Sequence, residues 1–397
     1  MRNTHPVDRP NVVGIIAEYD PFHKGHLYQL QTARAQLSAQ AIICVISCAF
    51  TQRGAPALFS THARAEMALR CGADLVLGLP YSFGTAQANR FALGGVGILE
   101  RLGVVTHLSF GVENDLLPFL QDAAHLFDGD PRLALLIEQG LLSGLSFARA
   151  QGEALKALLP ACPAEALSAP NFNLALCYLQ ALKRLKSAIL PYPVARAGSY
   201  RETEISALPS STSVRSGILR GDWKHVRAAL PEEAYRVVSH AVSDGSIHEE
   251  GALDHLLLDR LVTISEEEAR RMPDISEGLE NRVLKAAPLS QSRDDLIDRV
   301  KTKRYPYARI NRALCHMLVG LHEDDCPPLV PYARLLGFRK TALPLLSSVK
   351  QGGFPLISRP AKHENPSLAL DMRSEQLWAL GAGLPMAQAY REQVIIL

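Results

Sequence analysis

Apolar and polar positions follow a repeating block pattern along the first half of the chain. Short, nearly unbroken apolar runs at 12–17, 41–47, 74–79 and 104–110 are each followed by a longer stretch of helical spacing, at 25–37, 60–71, 87–102 and 116–127. An apolar run without polar alternation fits a strand buried on both faces, as in a parallel sheet. Strand and helix repeated in this order predict an α/β fold with a doubly wound parallel sheet. Residues 130–187 read as mostly helical, with a break at Pro170-Asn171 before a helix over 174–185, and 191–197 reads as a last strand. Ser210-Ser211-Thr212 opens a short helix through Arg215 to Leu219. Beyond about 222 helical spacing dominates, with turns at Gly251, Pro273 and Pro288 and short strand candidates at 332–338 and 354–358 around a helix over 341–350. The expected organisation is a loose tail (1–11), a ligand-binding α/β domain (12–221) with a helical insertion (about 130–187), and a mainly helical C-terminal region (222–397).

Composition narrows the picture. The chain has 397 residues, 47% hydrophobic and 21% charged, which is ordinary for a soluble globular protein with ample core. A net charge of +2 excludes a polyelectrolyte surface, so any nucleic-acid contact must come from a local patch. Seven cysteines, an odd number and several in apolar runs, predict reduced, buried thiols in a cytoplasmic protein. The polar, proline-containing residues 1–11 lack the apolar core of a signal peptide, and no run reaches transmembrane length, so no membrane partner is expected.

The richest segment is VVGIIAEYDPFHKGH, Val12 to His26. The first strand ends in Glu18-Tyr19-Asp20, turns at Pro21-Phe22, and His23-Lys24-Gly25-His26 opens a helix. Ligands of such sheets bind at the carboxyl ends of the strands. Free N–H groups at the next helix start favour anions, and Gly25 lets a phosphate approach the backbone. His23 and His26, three apart, share a face and can donate to phosphate oxygens as charge builds in a transition state. A metal pair or two structural histidines are the competing readings, though no further ligands stand nearby in sequence. Arg53-Gly54 and Gly111 fall at the same sheet edge, as a phosphate clamp and a surface for a base or ribose, or as plain loop and strand-ending residues. Hydroxyls at Ser210 to Thr212 can cap their helix or bind phosphate, with Arg215 adding a fixed charge. KTKRYPYARINR, 301–312, carries five basic residues, no acid and two tyrosines, which suits RNA contact or a solvated basic helix start.

HxGH after the first strand with a late SSTSVR resembles the HIGH-type nucleotidyltransferases, whose domain is Rossmann-like and which cut a nucleotide between its α- and β-phosphates. EYDPFHKGH, QRG-PA (52–57), GADLVLGLP (72–80), FG-EN (110–114), SSTSVR (210–215), EGLENR (277–282), TKRYPYARINR (302–312) and LGF (336–338) are similar to the tRNA(Met) cytidine acetate ligase family, in matching order from about 12 to 380. The resemblance implies that ATP and acetate give acetyl-adenylate and pyrophosphate. The acetyl group would then pass to N4 of the wobble cytidine of elongator tRNA(Met), leaving AMP. His23 and His26 would be catalytic, and Mg²⁺ would accompany the nucleotide. ATP would contact Tyr19, Asp20, Pro21, Phe22, His23, Gly25, His26, Gly111, Asn171, Arg196, Ser211, Thr212 and Arg215. Lys301, Lys303, Arg304, Tyr305, Arg309 and Arg312 would contact tRNA, and no resident metal is expected.

The chain departs from the family pattern at several places. Cys48 stands for Gly, Ala55 for Glu, Phe172 to Ala175 interrupt an N-I-L-G run, Arg201 stands for His, and Asp20 for the commoner Asn. These altered loops leave two alternatives: a small-molecule nucleotidyltransferase, and a tRNA-binding relative without chemistry.

Overall fold

The protein, in a computed structural model, is described for residues 10–112, 117–145, 147–162, 170–195 and 209–397. The expected apolar runs become parallel strands β1 (Val12–Ala17), β2 (Ala41–Ser47), β3 (Leu75–Leu79), β4 (His107–Val112) and β5 (Leu190–Ala195). They lie in the order β5-β4-β1-β2-β3, so connections run outward in both directions from the middle of the sheet. β4 begins three residues later than the apolar run at 104 suggested, because Val13 is the first β1 residue that β4 pairs with, opposite His107.

Pleating sends alternate side chains to opposite faces. Ile16, Ile43, Val45, Leu75 and Leu77 enter one core, under helices Ala88–Arg101 and Pro170–Arg184. Val13, Ile15, Ile42, Cys44, Ile46 and Val76 enter the other, under helices Lys24–Gln36 and Thr61–Arg70. The Ala88–Arg101 helix sits close on the sheet because a Cβ at Gly95 would come within 2.7 Å of Ile16. Pro170-Asn171 starts a helix where the sequence suggested a break. Proline suits the first helical turn, where its missing N–H has no partner to lose.

The C-terminal region departs from expectation more. Its helices from Asp254–Thr263 to Tyr307–Val319 pack around their own apolar core. Then β6 (Ala333–Phe338) returns to the first sheet, antiparallel to β3, and carries β7 (Leu356–Ile357) and β8 (Ile395–Ile396) on it. A division at 222 therefore does not leave the whole sheet on its N-terminal side. Buried polar groups fix the return: Arg334 of β6 pairs with Glu375, which also accepts from Thr61 at 2.7 Å. Asp371 takes the Tyr81 N–H at 2.7 Å and the Tyr332 hydroxyl at 2.6 Å.

One glycine joins the two halves. Gly54 has φ +80°, and a Cβ there would lie 2.4 Å from the Arg312 backbone nitrogen. Its carbonyl accepts the Cys315 thiol at 2.8 Å and the Arg293 guanidinium. Gly54→Ala is expected to lose about 1–2 kcal/mol from the left-handed backbone alone, and more from the clash. Urea unfolding measures this, and an unchanged midpoint would show that the loop is not pinned.

Candidate active site

Strand order reverses between β1 and β4, and a cleft opens there beyond the carboxyl ends of the strands. The cavity holds about 380 Å³. The segment after β1 supplies Glu18, Tyr19, His23, Gly25 and His26, and the segment after β2 supplies Gln52 and Arg53. Gly111 of β4, Asn171 and Asn173 of the Pro170–Arg184 helix, and Ser211 also line it, together with Tyr28, Gln29 and Tyr178.

The two histidines are fixed by each other. His23 is the N-cap of the Lys24–Gln36 helix, and its Nδ1 accepts the Gly25 N–H at 3.1 Å. The His26 Nδ1 in turn accepts the His23 N–H at 3.2 Å. This is a capping box made with imidazoles in place of Ser and Glu. The rings stack, centroids 3.6 Å apart and 18° from parallel. With both Nδ1 lone pairs accepting from backbone, the neutral rings carry their protons on Nε2 and are donors there. In that form each ring can donate to an anion.

Other expected nucleotide contacts turn out to support the cleft from behind. Phe22 is fully buried, its ring 4.8 Å from Tyr19 and 5.5 Å from His26, and so braces His26 instead of facing a ligand. Asp20 is 2% exposed, and its carboxylate accepts the N–H groups of Leu58 and Phe59 at 2.9 and 3.1 Å. Pro21, joined to it by a cis peptide, is buried in the same turn. Arg215 donates to the Asp20 carbonyl at 2.7 Å and to Thr212 at 3.3 Å, so it ties helix Ser211–Leu219 to the turn, and it faces a neighbouring cavity of about 510 Å³. The side chains of Asp20, Pro21 and Phe22 are thus spent on backbone and packing, Arg215 ties two segments together, and Thr212 is exposed. Arg196 lies outside the described residues, as do Glu113, Asn114 and Arg201.

Two residues of the site had no role in the sequence reading. Arg64, on helix Thr61–Arg70, is fully buried and donates to the carbonyls of Glu18 and Ser47 at 2.8 Å each, Phe59 at 3.1 Å, and Cys48. It fastens the ends of β1 and β2 and the loop after β2 to one guanidinium. Glu18 faces the cleft and takes the Gln52 N–H at 2.6 Å. Burial, the largest influence, raises its carboxyl above the ordinary value, against that hydrogen bond and the nearby Arg64 and Arg215.

The departures from the family pattern mostly fall elsewhere. Cys48 is buried just past the end of β2, where burial pushes its thiol up to about 12. Ala55 faces the neighbouring cavity. Phe172 and Ala175 enter the core, so only Asn173 and Leu174 of that run reach the cleft.

The 301–312 segment and EGLENR form one unit. Glu277 pairs with Arg304 and Arg309, and its carbonyl accepts the Tyr305 hydroxyl. Arg312 is 7% exposed and grips Asp274 at 2.8 and 3.0 Å. The expectation that Arg312 and Tyr305 present themselves to tRNA is corrected: their polar groups are used inside the fold. Lys301, Lys303, Arg304 and Tyr307 remain exposed, and Arg309 is partly so.

The sequence pattern of the HIGH Nucleotidyl Transferase family matches residues 10–393. The tRNA(Met) cytidine acetate ligase of Clostridium kluyveri is 36% identical over 390 residues, spanning 93% of this chain and 94% of its own. That of Bacillus subtilis strain 168 is 33% identical over 387 residues, spanning 94% and 93%. The crystal structure of Thermotoga maritima TmcAL bound with alpha-thio ATP is similar at a TM-score of 0.88 and 26% identity, over 97% of this chain and 99% of that one.

Replacing Arg64 by Met keeps bulk and removes every donor. Four buried carbonyls then lose their partner. A loss of at least about 3 kcal/mol is expected. Thermal unfolding checks it, and a wild-type melting temperature would show that the guanidinium is not what joins the strand ends.

Proposed function

The chain belongs to the HIGH nucleotidyl transferase family, among the tRNA(Met) cytidine acetate ligases, and from that premise we propose that it is an ATP-dependent ligase that joins acetate to tRNA. It activates acetate as acetyl-adenylate and acetylates N4 of the wobble cytidine of elongator tRNA(Met). One observation carries this reading. Motif residues far apart in sequence, His23, His26, Gly111, Asn171 and Ser211, converge on a single cleft at the switch point of the sheet.

Those residues offer the chemistry the reaction needs. An acetate oxygen attacks the α-phosphorus of ATP, and the bond to pyrophosphate breaks with its electron pair. Negative charge grows on the phosphate oxygens. The Nε2–H donors of His23 and His26, and the N–H groups starting helix Lys24–Gln36, stabilise that charge without rearranging. Arg53 and the Ser211 hydroxyl lie on the same walls. Mg²⁺ would accompany the nucleotide phosphates, as it does in most ATP-using enzymes. Activation is needed because the cytidine amine is a weak nucleophile. No helix among the described residues is long and apolar enough to cross a membrane. The cysteines are free thiols, which suits a reducing compartment such as the cytoplasm.

The test is exchange of labelled pyrophosphate into ATP. Exchange that requires acetate supports the reading, and exchange that requires a different small acid contradicts it. His26→Ala also leaves the His23 N–H without its acceptor, and it is expected to lower exchange about 10²–10³-fold while tRNA binding persists. Exchange at the wild-type rate would remove His26 from the mechanism. For tRNA, Lys301→Glu with Lys303→Glu is expected to weaken binding and flatten its salt dependence by about one unit of slope per lost phosphate contact. Arg312→Glu should instead lower the melting temperature, since Asp274 would be left facing a second buried carboxylate. Undiminished binding in the double lysine variant would show that these lysines are a solvated face.

A further inference from the structure

A carboxylate lining a cleft for ATP and acetate opposes both ligands electrostatically, so its presence needs a reason. Glu18 is the one carboxylate that faces the cleft among the described residues. It stands at the end of β1, where Tyr19 turns the chain through a left-handed backbone, φ 54°. That conformation is unfavourable for a buried tyrosine, and such strain concentrates at functional sites. One oxygen, Oε1, holds the Gln52 N–H. Oε2 has no hydrogen-bond partner among the described residues, and Glu18 lines the same cavity as His23 and His26.

The second half-reaction needs a proton acceptor. As the cytidine N4 attacks the acetyl carbonyl carbon, a C–N bond forms and the acyl C–O bond breaks. The electron pair leaves on the phosphate oxygen of AMP, and one N4 proton must go to a base. His23 and His26 are not available for it, because both Nδ1 lone pairs hold backbone N–H groups and Nε2 carries the proton. We propose that Glu18 is a catalytic residue of acyl transfer, accepting the N4 proton of the acceptor cytidine as that nitrogen attacks the acetyl-adenylate; the inference rests on the ligase reading above. A carboxylate is also the side chain that pairs with the cytosine amino group in base recognition, so Glu18 both orients the nucleophile and takes its proton. A raised carboxyl is a better base near neutral pH than an ordinary one.

The charges facing Glu18 set how it titrates. Asp20 lies on its own turn, Arg64 comes from helix Thr61–Arg70 and Arg215 from helix Ser211–Leu219, with His23, His26 and Arg53 along the cleft wall. Since the base must be ionised, transfer should rise with pH through the Glu18 titration and then level off.

Glu18→Gln separates the roles, because an amide oxygen can still accept the Gln52 N–H. The full-length variant is assayed for acetate-dependent pyrophosphate exchange and for single-turnover transfer of labelled acetyl to tRNA(Met). Exchange is expected to persist at or above the wild-type rate, since a charge that opposes ATP and acetate is lost, while transfer falls about 10²–10⁴-fold and loses its rise with pH. Glu18→Asp should recover part of the transfer. Wild-type transfer in Glu18→Gln overturns the inference. So does joint loss of exchange and transfer, which marks Glu18 as a support of the loop or of the ATP-bound ion. If the wild-type chain shows no acetate-dependent exchange, the reading of function falls and this inference with it. Exchange in the wild type with unimpaired transfer in the variant sinks the inference alone.

Discussion

The cleft depends on two imidazoles that cap one helix. Each gives its Nδ1 to a backbone N–H, His23 to Gly25 and His26 to His23, and the rings stack face to face. The cap decides the tautomer, the tautomer decides that both rings donate from Nε2, and the stacking holds the donors together. Phe22 and Tyr19 pack against His26, Arg215 and Asp20 hold the turn beneath, and Arg64 joins that turn to the next strand. Preorganisation of this kind matters for charge stabilisation, since donors already in place need no rearrangement during the reaction.

The C-terminal half is part of the same design. The loop that carries Gln52 and Arg53 into the cleft is gripped from outside by Arg293, Cys315 and the backbone at Arg312, all on Gly54. The 277–282 and 302–312 motifs are bound to each other through Glu277, and Asp274 accepts from Gln87 at 2.8 Å at the start of the Ala88–Arg101 helix. Burial works against the Asp274 charge, yet His316 and Arg312 hold its carboxyl well below the usual range. The segment that carries the exposed Lys301 and Lys303 is therefore anchored to the rest of the fold, through the buried Arg312–Asp274 pair and the half-exposed pairs of Glu277.

Much of this was legible in the sequence, and the exceptions have physical causes. β1 and β2 occupy the expected residues because both faces are covered, leaving an unbroken apolar run. β4 was displaced because Val104 and Val105 pack beside the sheet without pairing in it. β8 is two residues long and has no period to read. The turn that brings His23 and His26 into the cleft was visible because strand, turn, glycine and helix are consecutive in sequence. Arg64 was not, since arginine on a short helix is ordinarily a surface residue and its acceptors are carbonyls from other segments. Arg312 looked like part of a basic patch because its partner Asp274 lies 38 residues away. Asp20 and Phe22 sit inside the motif but face its interior, which a linear pattern does not distinguish.

The most direct measurement is nucleoside mass spectrometry of tRNA(Met) after incubation with the protein, ATP and acetate, with AMP counted in parallel. The account predicts N4-acetylcytidine at the wobble position, one AMP for each acetyl group transferred, and neither product when acetate is omitted. ATP consumed with the tRNA unmodified, or an adenylylated small molecule in place of AMP, would contradict it.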